Sequence, residues 1–120
     1  MEEYEFRGIN RTEGFVYGDL IHKRQSKQPF IHFYTPDGFE CMYEVDPKTV
    51  GRFIQRINGF DIYVGDTVKA YKYGDKEKDP TIENIEYRNG TYMFGNWTWL
   101  EFLEKFRYVE VIGNIYEVTP

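Results

Sequence analysis

The chain has 120 residues, a size that fits one domain and lets roughly two-thirds of the unfolded surface be buried without disulfides. Its apolar fraction of 41%, with 19% aromatic residues, excludes a disordered chain and predicts an aromatic-rich core. Twenty acidic and fifteen basic residues give a net charge of −5, opposite in sign to that of a typical phosphate-backbone binder.

Short segments rich in aromatic and β-branched residues follow one another along the chain, and Gly-containing pairs separate several of them. The pairs Asp37-Gly38, Asn58-Gly59 and Asn89-Gly90 favour the positive φ angles of type I′ hairpin turns. This pattern predicts strands at residues 15–21, 30–35, 39–45, 66–71, 82–88, 90–94 and 108–112, and a last short strand at 115–118.

One segment near the C-terminus has helical spacing instead. Its apolar residues at i, i+3, i+4 and i+7 are Trp99, Phe102, Leu103 and Phe106. Thr98 and Glu101 have the spacing of a capping box. We therefore expect a single all-β domain over residues 1–120, a strongly bent mixed sheet or a barrel, with one short α-helix at residues 98–107.

The single cysteine and the first residues of the chain set further expectations. Cys41 excludes an intramolecular disulfide and a multi-cysteine metal site, and its aromatic neighbours predict a small buried hydrophobe. The acidic stretch from Met1 to Glu5 lacks the positive region of a secretion signal, and no apolar run is long enough to span a membrane. These features predict a cytoplasmic protein without membrane contact.

The sequence lacks the local motifs that hold phosphates, zinc or an activated nucleophile, so we expect no cofactor and no catalytic residue. One alternative is a small metal-dependent hydrolase. If the strands that flank residues 22–28 pair as a hairpin, the imidazoles of His22 and His32 could approach each other beside Asp19 and ligate a metal.

A second alternative is a nucleic-acid-binding module. The polar loop between the first two predicted strands carries three cations, Lys23, Arg24 and Lys27. Local positive charge beside exposed aromatic rings is how small β folds bind single strands. A solvated hairpin loop accounts for the same residues.

Several glycine and Asx residues have a structural interpretation. Gly65 permits a sharp turn, and the Asp66 carboxylate can accept backbone N–H groups where the next strand begins. Gly113 and Asn114 predict a left-handed turn or a bulge. Further bends are expected at Gly18 and Gly51.

Four segments together resemble the YopX family of phage and prophage proteins. They are residues 14–20 (GFVYGDL), 45–51 (VDPKTVG), 59–68 (GFDIYVGDTV) and 110–117 (EVIGNIYE), and the resemblance covers essentially the whole chain. The sequence departs from the family at Arg52 and Phe53, where the family more often has Gln and Tyr. It also departs at Val64, where the family more often has Glu. The resemblance implies an all-β fold with a large mixed sheet and a phage or prophage origin in a bacterial host, with no catalytic residues to transfer.

These observations predict a non-enzymatic accessory protein that binds a phage or host protein and self-associates as a homo-oligomer. The surplus of tyrosine fits this interpretation because amphipathic aromatic residues are enriched at protein interfaces.

Overall fold

The computed structural model describes residues 5–23, 25–74 and 79–117. Its strands are β1 Phe6–Asn10, β2 Gly14–His22, β3 Pro29–Tyr34, β4 Glu40–Glu44, β5 Gly51–Ile57, β6 Phe60–Tyr63, β7 Asp66–Lys72, β8 Thr81–Arg88, β9 Thr91–Phe94, β10 Trp97–Thr98 and β11 Phe106–Asn114. A 3₁₀ turn spans Pro47–Thr49, and the helix α1 spans Trp99–Lys105. The predicted all-β fold with one short helix near the C-terminus is confirmed.

The chain groups into two compact units, Met1–Ile54 and Gln55–Pro120. In the first unit the strand order is β4-β3-β2-β1-β5, and in the second β10-β9-β8-β7-β11. Strand β5 carries the chain from one unit into the other, where the Asn58-Gly59 turn leads into β6.

The strand pairs of both units run antiparallel. The expected mixed sheet is therefore wrong. Parallel neighbours need a crossover of a dozen or more residues, whereas most connections here are short hairpins. At two hairpins both turn residues have positive φ, as type I′ turns require: 52° and 83° at Asn58 and Gly59, and 55° and 81° at Asn89 and Gly90.

The helix α1 begins as predicted and ends earlier. The Thr98 hydroxyl accepts the Glu101 N–H (3.2 Å), and the Glu101 carboxylate accepts the Thr98 N–H (3.1 Å), which completes the capping box. The predicted end at residue 107 is wrong because Phe106 already pairs with Lys72 in the sheet. Leu103 is 41% exposed, so the apolar face is narrower than its spacing indicated. Within the described ranges, no helix has the length and apolar character needed to cross a membrane.

The predicted turn at Gly65 and Asp66 is confirmed. Gly65 has φ 99° between β6 and β7, and the Asp66 carboxylate accepts the Tyr63 N–H at 2.8 Å. Gly18 is buried in β2, where any Cβ would collide with the His32 carbonyl oxygen of the neighbouring strand. Glycine is thus required there for the close approach of two backbones.

The other predicted bends have mixed outcomes. Gly51 is buried and opens β5 directly after the 3₁₀ turn. The β11 register shifts before Gly113, which confirms a bulge or irregularity, and Asn114 still pairs in the strand. The strand predicted at 115–118 is wrong at its first residues because the Tyr116 N–H turns back to the Asn114 side chain (3.0 Å). Val118 lies outside the described residues.

Each unit has its own core. In the first unit Val16, Ile31 and Val45 form the buried centre, and partly buried side chains from Phe6, Leu20, Phe33, Tyr43 and Val50 pack against it. In the second unit three buried aromatic rings meet, with centroid distances of 4.5 to 5.6 Å: Phe94, Phe102 and Phe106. The predicted aromatic-rich core is therefore found mainly in the second unit.

Candidate protein-binding site

The hairpin that joins β3 to β4 is set by a proline and a glycine. The Thr35 carbonyl accepts the Gly38 N–H, and the Thr35 N–H donates to the Phe39 carbonyl, both at 2.8 Å. Pro36 fixes its own φ near −65°, so the left-handed position is taken by Gly38 alone, with φ 90°. The hairpin predicted at Asp37-Gly38 is confirmed, and its type I′ turn is wrong.

Among residues 5–23, 25–74 and 79–117, β4 is the outermost strand of its sheet, so one of its edges has no neighbouring strand from this part of the chain. The Val45 N–H donates to the Pro29 carbonyl at one end of the β3–β4 pair (3.2 Å), and the register is unbroken from there to the turn. Bonded residues recur at every second position of an antiparallel pair. Cys41 and Tyr43 therefore bond to β3, and the backbone groups of three residues point to the outer edge: Glu40, Met42 and Glu44.

The side chains of β4 alternate between the core and the outer face. Tyr43 packs against the core, and its ring stacks on Phe33 at 5.9 Å. Glu40 and Glu44 are exposed on the other face, and Met42 between them is 42% exposed. Cys41 is half-buried rather than buried as predicted, because an outermost strand is covered on one side only.

Two residues of β3 hold the Glu40 carboxylate. The Tyr34 hydroxyl donates to Glu40 Oε2 at 3.2 Å, and His32 Nε2 lies 3.5 Å from the same oxygen. The hydrogen bond and the negative charge of Glu40 raise the pKa of Tyr34 above its ordinary value. Within the described part of the chain both contacts fall on Oε2, so Oε1 keeps its capacity to accept a further hydrogen bond.

A groove of about 690 Å³ lies beside the second half of β4, and we call it the β4 groove. Met42 and Glu44 line one side, and Asn10 at the end of β1 with Arg11 and Thr12 of the β1–β2 turn contribute to the other. The Asn10 amide donates to the Glu44 carbonyl at 2.8 Å, so the open edge of β4 ends at the Glu44 N–H. The volume is within the range of roughly 300–1,000 Å³ that is usual for ligand sites.

The predicted basic loop is described in part. The Lys23 ammonium group lies 4.6 Å from the centre of the Phe30 ring, and the Lys23 carbonyl accepts the Ser26 N–H (3.0 Å). Lys27 is exposed, and Arg24 lies outside the described residues. The contact with Phe30 gives Lys23 a structural role in the hairpin.

The predicted meeting of two imidazoles is wrong. Asp19 lies directly opposite His32, whereas His22 lies opposite Pro29. Side chains alternate between the faces of a strand, and His22 is three positions from Asp19. His22 therefore projects from the opposite face of the sheet and cannot share a metal with the other two. Across residues 5–23, 25–74 and 79–117, no three His, Cys, Asp or Glu side chains are grouped closely enough to hold a metal ion.

A smaller cleft of about 350 Å³ lies in the second unit, and Tyr73, Arg107 and Tyr108 contribute to its lining. Tyr108 has φ 57° at a register shift of β11, which costs an L residue about 1–2 kcal/mol. The Arg107 guanidinium lies 5.3 Å from the centre of the Tyr73 ring and 5.0 Å from that of Tyr108. These contacts stabilise the bulge, so the arrangement has a structural explanation.

The sequence-based predictions missed the strand edge, although the sequence carries a signal for it. Residues 40–44 have a glutamate at each end and three apolar residues between them, and prolines stand a few residues before and after them at Pro36 and Pro47. Charges and flanking prolines are typical of edge strands.

Comparison with family models, curated proteins and solved structures gave no match to the chain. The resemblance of its four segments to YopX proteins stays a prediction, and the function is inferred from the geometry of the site.

Proposed function

We propose that this protein is a non-enzymatic binding module that captures an extended segment of a partner protein as an additional strand beside β4. In strand addition, main-chain hydrogen bonds supply affinity, and alternate side chains supply specificity. The proposal combines the sequence-based expectation of a protein partner with a defined location in the first unit.

The outward backbone groups of β4 carry this proposal. Glu40 and Met42 each offer an N–H and a C=O at the outer edge, and Glu44 offers its N–H. The neighbouring groove gives an incoming chain a second wall, which includes Thr12. A small ligand could fill the groove, but only an extended chain matches the repeat of donors and acceptors along a strand.

The YopX resemblance adds a setting to the proposal. We infer a phage or prophage accessory protein that works in the cytoplasm of a bacterial host, with a phage or host protein as its partner. Self-association through other surfaces belongs to the same proposal. Light scattering that shows a strict monomer at high concentration would remove the self-association part.

Met42→Pro tests the proposal. Proline lacks the N–H that faces the outer edge, and its ring obstructs an added strand, while the bonds between β4 and β3 stay intact. A displayed library of random linear peptides serves as the probe. We expect the unchanged protein to enrich extended sequences and Met42→Pro to enrich none of them.

Met42→Ala is the matched control, because it shortens the side chain and keeps the N–H. It should enrich the same peptides as the unchanged protein. Urea unfolding should show that Met42→Pro is folded, with a free energy of unfolding close to that of Met42→Ala. Equal enrichment by the proline and alanine variants would contradict strand addition at this edge.

A further inference from the structure

We infer that the partner strand carries Lys or Arg at the two positions that face Glu40 and Glu44, with an apolar residue between them. This inference rests on the proposed strand addition and names the chemistry of the partner. A basic, apolar, basic order at every second residue is the pattern that the exposed face of β4 complements.

The spacing follows from the geometry of a strand. Glu40, Met42 and Glu44 lie on one face of β4, and the two carboxylates are four residues apart, or about 13 Å. Residues directly opposite in an antiparallel pair bring their Cβ atoms to roughly 4.5–5.5 Å. Each glutamate therefore meets one side chain of the partner, and Met42 meets the residue midway between those two.

The electrostatics favour cations at both positions. Glu40 and Glu44 are exposed, and Oε1 of Glu40 is available because Tyr34 and His32 both contact Oε2. Charges in the wall of the groove are of both signs, with Asp46 and Arg11 in addition to Glu44. Asp46 and Arg11 carry opposite charges and together add no net charge to the groove, so the two β4 glutamates provide the main recognition.

The same charges disfavour a second copy of this chain as the added strand. In the antiparallel register that pairs all three outward residues, Glu40 of each copy would face Glu44 of the other. Like charges directly opposite each other destabilise a strand pair. The edge thus disfavours self-pairing in this register and favours a basic strand.

Three peptides of equal length test the inference by NMR titration. They are acetyl-Thr-Lys-Thr-Val-Thr-Lys-Thr-amide and the versions in which serine or glutamate replaces both lysines. We expect the lysine peptide to bind about tenfold more tightly than the serine peptide, as two exposed ion pairs allow. Added salt should narrow that difference, and the amides of residues 40, 42 and 44 should shift most.

Charge reversal at the edge is the decisive variant. Glu40→Lys combined with Glu44→Lys should reverse the preference, so that the glutamate peptide binds best. Glu104→Lys combined with Glu110→Lys makes the same change of net charge in the second unit and should keep the original preference. If this control also reverses the preference, general attraction to an acidic protein explains the binding and the inference fails.

The outcomes separate the inference from the proposed function. Equal binding of the lysine and serine peptides, abolished in both cases by Met42→Pro, would overturn the charge pattern and leave strand addition in place. Binding of the lysine peptide that survives Met42→Pro would overturn strand addition itself, as would the absence of amide shifts along β4 with every peptide.

Discussion

At the scale of single residues, the turn between β6 and β7 depends on one buried carboxylate. Asp66 is 1% exposed, and its carboxylate accepts the N–H of Tyr63, which is also buried. The sequence predicted this role because Asx side chains accept backbone N–H groups beside a glycine turn.

Asp66→Ala should lower the free energy of unfolding by about 1–3 kcal/mol, because the buried Tyr63 N–H loses its acceptor. Asp66→Asn keeps an oxygen at that position and should lower the free energy of unfolding by a smaller amount. Urea unfolding of the two variants and the unchanged protein measures both effects. An alanine variant within about 0.5 kcal/mol of the unchanged protein would show that the bond contributes little.

A substitution at Gly18 tests whether β2 and β3 approach too closely for a side chain. Gly18→Ala should cost about 1–3 kcal/mol or more, because the added methyl group meets the backbone oxygen of His32, which is fixed in the sheet. Gly113→Ala is the matched control. Its Cβ meets the end of the flexible Glu117 side chain, so stability should change little. Thermal unfolding of the two variants measures the difference. Equal melting temperatures would contradict the predicted collision at Gly18.

At the scale of elements, the first turn of α1 is stabilised by its capping box. Hydrogen bonds from the Thr98 backbone and side chain lower the pKa of Glu101, and the charge of Lys105 lowers it further. The ionised form is therefore favoured in the folded protein. Its contribution to stability is complete above the ordinary pKa of 4.5 and is lost as the pH falls through the lower pKa of the folded state.

Glu101→Gln should accordingly destabilise the protein at neutral pH, and the difference from the unchanged protein should shrink as the pH falls below about 4.5. Melting temperatures across this range measure the difference. Glu104→Gln removes the same charge from the same helix and controls for charge alone. A difference in melting temperature between Glu101→Gln and the unchanged protein that stays constant with pH would contradict the capping role.

The role proposed for β4 depends on its place in the sheet. Its five residues would suit any half-buried strand. Because β3 pairs with one side only, the donors and acceptors of alternate residues are left at the other edge. In the proposed function, its two exposed glutamates select the strands that can pair there.

At the scale of the whole molecule, the expected single domain depends on whether the two units unfold together. The chain groups into two units, and β5 runs uninterrupted from Gly51 to Ile57 across the boundary between residues 54 and 55. Unfolding of either unit would disrupt a strand that belongs to both.

We therefore expect one cooperative unfolding transition. Both tryptophans, Trp97 and Trp99, lie in the second unit, so fluorescence reports on that unit while far-UV circular dichroism reports on both. The two probes should give coincident urea transitions. A fluorescence midpoint clearly separated from that of circular dichroism would divide the chain into two independent domains.

The sequence by itself determined the features that depend on near neighbours. Alternating apolar residues predicted seven of the strands, and the Asn-Gly pairs predicted two type I′ turns. The capping box and the Asp66 turn were also predicted, because each joins residues only three positions apart. Local hydrogen bonds and the alternation of side chains along a strand depend only on residues that are close in the sequence.

The tertiary structure decided the rest. Four of the described strands were missed: β1, β5, β6 and β10. A glycine or charged residues weaken the local pattern of β1 and β5, yet Gly8 is required where a Cβ would strike Val45. Pairing with Lys72 ended the helix before Phe106. The opposite faces of His22 and His32, and the open edge of β4, likewise follow from strand pairing. Pairing joins residues far apart in the chain, so it depends on the packing of the whole unit rather than on any local pattern.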